Sequence, residues 1–70
     1  MSNLKISLEA ARVNAKLTQR EAAEGVGVTV QTLINWEKGR TSPMIDKAIA
    51  LCNLYGIDLD NLIFYTPQSI

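Results

Sequence analysis

The strongest constraint on the fold is punctuation: between Thr18 and Gly39 the chain carries two helix starts and two helix stops in close succession. Thr18-Gln19-Arg20-Glu21 fits the capping box, in which the threonine hydroxyl and the glutamate carboxylate each accept from a free backbone N–H at the helix start. Gly27 stops that helix, because glycine enters the left-handed conformation without steric cost and lets the chain reverse within about three residues. Thr29 caps a second helix that runs to Lys38, and Gly39 closes it. Ala22, Ala23 and Val26 form the inner face of the first helix of the pair, and side chains that small allow backbones to cross closely. Two helices joined by a tight glycine turn are thus predicted over 18–38.

Length limits what can surround this pair. A chain of 70 residues supports one hydrophobic core, so residues 1–70 are read as a single domain with its core over 7–63. Before the pair, a helix is predicted from Ser7 as cap, with Glu9 in its first turn, an apolar stripe of Leu8, Ala11 and Ala15, and Ile6 as a staple. After it, Ser42-Pro43 opens a fourth helix with the stripe Ile45, Ala48, Ile49, Cys52 and Tyr55, which Gly56 stops. Asp58 caps a short fifth helix through Leu59, Leu62 and Ile63. The expected fold is all-α with five helices. Leu4 to Ile6 and Ile63 to Tyr65 hold β-favouring residues and admit a short terminal strand pair, ended by Pro67.

Composition removes several functions. With no histidine and a lone Cys52, the commonest metal ligand, the commonest general base and any internal disulfide are missing, so no catalysis, metal or cofactor is expected. Cys52 on an apolar stripe reads as a small buried hydrophobe. No apolar run reaches the roughly 18 residues of a membrane span and no secretory leader is seen, so a cytoplasmic protein is expected. Seven basic and seven acidic residues cancel. Local distribution matters more: Lys16, Arg20, Lys38 and Arg40 lie in or near the helix pair, whereas Asp46, Asp58 and Asp60 lie after it.

On the second helix of the pair, Leu33 and Trp36 lie three residues apart and would face the core, while Gln31, Thr32 and Asn35 fall on another face. Alone, three polar residues on a helix are an ordinary solvated face, and Trp36 reads as a core anchor. The surrounding pattern changes that weighting. Leu17-Thr18-Gln19-Arg20-Glu21-Ala22-Ala23, Gly27-Val28-Thr29 and Leu33-Ile34-Asn35-Trp36-Glu37-Lys38-Gly39-Arg40-Thr41-Ser42-Pro43 resemble, almost position by position, the phage repressor and Cro-type (XRE-like) helix-turn-helix family. The likeness extends from about Leu8 to Ile63.

The resemblance implies a lambda-repressor-like domain that reads double-stranded DNA through the major groove, as a repressor or less often an activator. It implies base contacts by Val30, Gln31, Thr32 and Asn35. Carboxamides pair with adenine N6 and N7, and Val30 or the Thr32 methyl suits a thymine methyl, which points to an A·T-rich operator. Gln19 matches a position that holds a phosphate at a helix start, and Arg20, Lys38, Arg40 and Thr41 are expected on the DNA backbone. Arg12 and Glu37 match an ion pair expected to orient the recognition helix. Ala22 is smaller than the family norm, which predicts a looser core or one filled from a neighbour. Ile34 departs too: it is a thymine contact, a packing residue against the sugar-phosphate chain, or a plain exposed aliphatic. A homodimer on two half-sites is expected, with Phe64 and Tyr65 as a lid or, preferably, a subunit contact. The alternative is a protein-interaction module, such as an antitoxin or anti-regulator, marked by an apolar patch of Ile34, Phe64 and Tyr65.

Overall fold

The computed structural model describes residues 5–64, and Leu4, Tyr65 and Pro67 of the expectations above lie outside them. Four α-helices follow in order: α1 (Leu8–Asn14), α2 (Gln19–Val26), α3 (Val30–Glu37) and α4 (Ile45–Tyr55). Two short strands, β1 (Ile6–Ser7) and β2 (Leu62–Ile63), pair in parallel with Ile6 opposite Leu62 and Ser7 opposite Ile63. This pairing ties the two ends of the described chain together. Among the described residues no helix is long and apolar enough to cross a membrane.

The caps explain where the first three helices begin. Ser7 Oγ accepts from the Ala10 N–H at 3.1 Å to start α1. At α2 both halves of the capping box are made: the Glu21 N–H donates to Thr18 Oγ1 at 3.0 Å and the Thr18 N–H to Glu21 Oε1 at 2.9 Å. Gly27, with φ 78°, ends α2, and Thr29 Oγ1 accepts from the Thr32 N–H at 3.1 Å to start α3. The turn between α1 and α2 instead puts Lys16 in the left-handed region at φ 62°, a conformation that costs a side-chain-bearing residue about 1 kcal/mol or more.

Three expectations for the C-terminal half are corrected. The fifth helix is a single 3-10 turn, Leu59–Asn61, after which Leu62 and Ile63 enter β2. Asp58 sits at the cap position without a side-chain bond, so the local signal was weak, and pairing with β1 draws the chain into an extended path. Ser42-Pro43 does not open α4: Met44 is its cap residue, with no side-chain bond, and Pro43 instead lines an apolar groove beside Ile45, Ala48 and Phe64. The buried stripe of α4 is Ala48, Leu51, Cys52 and Tyr55, while Ile45 and Ile49 are 64% and 48% exposed. α4 is apolar on two faces, and the wholly buried Leu51 decides which one turns inward.

The core joins Leu8 and Ala11 of α1, Ala22, Ala23 and Val26 of α2, Leu33 and Trp36 of α3, the inner face of α4, and Leu62. Ala22 has no exposed surface, so the volume its small side chain leaves is filled by neighbours. A Cβ placed on Gly25 would come within 2.9 Å of Leu54 Cδ2, which marks how closely α2 rides over α4. The result holds α2 and α3 against one another and leaves the outer face of α3 in solvent.

Candidate nucleic-acid interface

The outer face of α3 starts with Val30 and Gln31, both exposed, and continues through the half-buried Thr32 and Asn35. Leu33 and Trp36 turn inward, at 0% and 7% exposure, so the three-residue spacing separates a core side from a solvent side. Thr32 is tied back to the helix start: Thr29 Oγ1 donates to Thr32 Oγ1 at 2.9 Å. Its methyl remains the part suited to an outside contact. Gln31 Nε2 donates to Asn35 Oδ1 at 3.1 Å, linking the two carboxamides along the helix face. Ile34 is half-buried.

Arg12 and Glu37 meet beneath this face. Arg12 Nε donates to Glu37 Oε2 at 2.7 Å and Nη2 to Oε1 at 3.4 Å, with both residues 9% exposed. Arg12 Nη1 also donates to the Leu17 carbonyl at 3.0 Å, so one guanidinium holds the α1–α2 turn and the last residue of α3 together. Its hydrogen bond to Glu37 raises the Arg12 pKa against the opposing effect of burial, and the group stays charged.

The expected phosphate contacts divide into two kinds. Arg20, Lys38, Arg40 and Thr41 are exposed around the start of α2 and the end of α3. Gln19 is half-buried, and its Nε2 donates to Glu37 Oε1 at 3.1 Å. The first residue of α2 is therefore wired to the buried ion pair, a link that spacing alone does not reveal. Two further connections also escape sequence reasoning, one across 21 residues of chain and one across the glycine turn that ends α3. Lys47 Nζ donates to the Val26 carbonyl at 3.1 Å, closing the end of α2 from α4. Arg40 Nη1 donates to Asn35 Oδ1 at 3.3 Å, which brings a cation to the outer face of α3.

Comparison with known proteins adds an independent observation: a helix-turn-helix family model matches residues 8–62. The chain belongs to the helix-turn-helix family. It is 36% identical over 59 residues to the cryptic phage CTXphi transcriptional repressor RstR of Vibrio cholerae, covering 84% of this chain and 53% of RstR. It is 38% identical over 56 residues to the HTH-type transcriptional regulator ImmR of Bacillus subtilis, covering 80% of this chain and 44% of ImmR. An uncharacterised HTH-type transcriptional regulator of Methanothermobacter thermautotrophicus is 52% identical over 53 residues, covering 76% and 77% of the two chains. The chain thus spans about half the length of RstR and less of ImmR. No solved structure matches it. The resemblance to phage repressors noted from the motif is borne out, and the matched span contains α2, the Gly27 turn and α3.

Proposed function

We propose that this helix-turn-helix protein is a sequence-specific DNA-binding regulator, a repressor, that lays α3 in the major groove. The observation that carries the reading is the linked carboxamide pair of the exposed Gln31 and the half-buried Asn35 on the outer face of a helix whose opposite side is locked into the core. Side chains held by packing and by one another lose less freedom on binding than free ones. Gln31 then meets an adenine edge, with Val30 and the Thr32 methyl as apolar contacts to thymine. Gln19, Arg20, Lys38 and Thr41 hold phosphates on either side and set the register of α3, without reading sequence. The Arg12–Glu37 pair orients α3 from below. RstR and ImmR, named as a transcriptional repressor and a transcriptional regulator, support this class of function.

The binding unit is a homodimer. One protomer measures 34 × 32 × 20 Å, and its long dimension is close to the roughly 34 Å of one DNA turn that separates paired half-sites. A second copy suits the surface around the start of α4. There the exposed Met44, Ile45, Ile49 and Leu59 border a groove of about 390 Å³ lined by Pro43, Ala48 and Phe64. Protrusions and a hollow on one patch are what a two-fold contact needs, since each copy supplies both. Four such side chains expose on the order of 400 Å², about half of the roughly 800 Å² each partner contributes to a standard interface.

Selection from a random duplex library tests the function. Wild-type protein should enrich a palindromic motif that the Gln31→Ala, Asn35→Ala double variant loses at equal salt. No enrichment by the wild type would favour a protein partner on the apolar patch instead.

A further inference from the structure

We propose that Arg40 reads a guanine: held beside Asn35 at the end of α3, its guanidinium donates to O6 and N7 in the major groove. This rests on the reading of α3 as the base-contacting helix, and it gives Arg40 a role other than the phosphate contact expected from the motif.

The backbone places the side chain. Gly39, at φ 76°, turns the chain back, the Gly39 N–H donates to the Trp36 carbonyl at 3.2 Å, and the Arg40 N–H donates to the Asn35 carbonyl at 2.9 Å. These are the two bonds of a Schellman closure, which brings the residue after the glycine alongside the last turn of the helix. From there Arg40 Nη1 reaches Asn35 Oδ1 at 3.3 Å. Among the described residues no carboxylate lies within ion-pair distance of Arg40.

Hydrogen-bond capacity then defines what the face can recognise. Asn35 Oδ1 accepts from Gln31 and from Arg40, so both of its lone pairs are occupied. Arginine has no acceptor, which fixes the amide: the oxygen faces Arg40 and Nδ2 faces outward. Gln31 keeps its oxygen and one N–H. The reading side therefore presents an acceptor with a donor at Gln31, followed by donors alone at Asn35 and Arg40. Adenine shows an acceptor and a donor in the major groove and fits Gln31. Guanine shows two acceptors and fits the donor-only end, where the cytosine amino group is rejected. The half-site expected on this basis carries guanine beside adenine, not an unbroken A·T run.

The experiment is duplex-library selection and salt titration on the full chain, comparing wild type, Arg40→Ala, Arg40→Lys and Lys38→Ala. Arg40 is exposed, so melting temperature should stay within error and report that the fold is intact. Expected is a wild-type motif containing guanine, whose preference at that one base pair drops about 10- to 100-fold in Arg40→Ala and is not restored by lysine. The salt slope should be unchanged in Arg40→Ala and fall by about one in Lys38→Ala. A wild-type motif that Arg40→Ala weakens uniformly, with a slope lower by about one or with rescue by lysine, overturns the assignment and leaves the DNA-reading function standing. A wild type without any motif overturns both.

Discussion

Tyr55 shows how one buried side chain couples this fold to pH. It is 9% exposed, and its hydroxyl has no hydrogen-bond partner among the described residues. Burial chiefly, and then the negative Glu37, push its pKa from 10.0 up to about 12, with Arg12 opposing. The fold therefore favours the protonated phenol. Stability from this group is undiminished below about pH 10 and falls as pH rises toward 12, because the unfolded chain releases the proton first. Tyr55→Phe removes an unsatisfied polar group, so it should match the wild type or exceed it by up to about 1 kcal/mol at pH 7. Denaturant melts should show the variant losing less stability between pH 10 and 12, by up to about 1.4 kcal/mol per pH unit. Parallel curves would mean that Tyr55 titrates as it does in water. Cys52 behaves in the same sense: burial first and Asp58 second raise its pKa, and the thiol remains an unreactive part of the core.

Among the elements, α3 depends most on a single tertiary contact. Its last residue, Glu37, is held by Arg12 of α1 and by Gln19 of α2. Removing the carboxylate strands a guanidinium in the interior, so Glu37→Ala should cost about 3–5 kcal/mol and lower the melting temperature by at least about 10 °C. An apolar double variant, Arg12→Met with Glu37→Leu, should cost less than Glu37→Ala alone, since no charge is left unpaired. Thermal melts of the three proteins decide this, and an unchanged melting temperature in Glu37→Ala would remove the pair from any structural role. The starts of α1, α2 and α3 were legible because Ser7, Thr18 and Thr29 satisfy free N–H groups within three residues of themselves. The start of α4 was not, since Met44 makes no side-chain cap bond and Pro43 stands before the helix, lining a groove with Ala48 and Phe64.

At the scale of the whole molecule, the proposed dimer contact on the exposed side of α4 predicts a link between oligomeric state and DNA affinity. Ile45 lies in the first turn of α4, where a carboxylate is favoured by the helix dipole, so Ile45→Asp should fold normally. Across the proposed two-fold contact it places two charges against each other. Sedimentation should show the variant shifted to monomer, with weaker binding to a two-half-site operator and an unchanged sequence preference. An association state equal to that of the wild type would move the interface off this patch.

Sequence alone determined the helix-turn-helix unit, because a capping box, a threonine cap, glycine turns and a three-residue core spacing act over a few residues and leave their mark in local order. It also indicated which residues of α3 turn inward, through Leu33 and Trp36. Only tertiary structure decided the rest. Which apolar face of α4 is buried depends on Leu51 fitting among α1, α2 and α3, and Leu62–Ile63 is a strand because β1 lies beside it. The links from Gln19 to Glu37 and from Arg40 to Asn35 depend on where two side chains meet after the backbone has turned. Such contacts are made in space between residues whose separation along the chain carries no period, so no local pattern announces them.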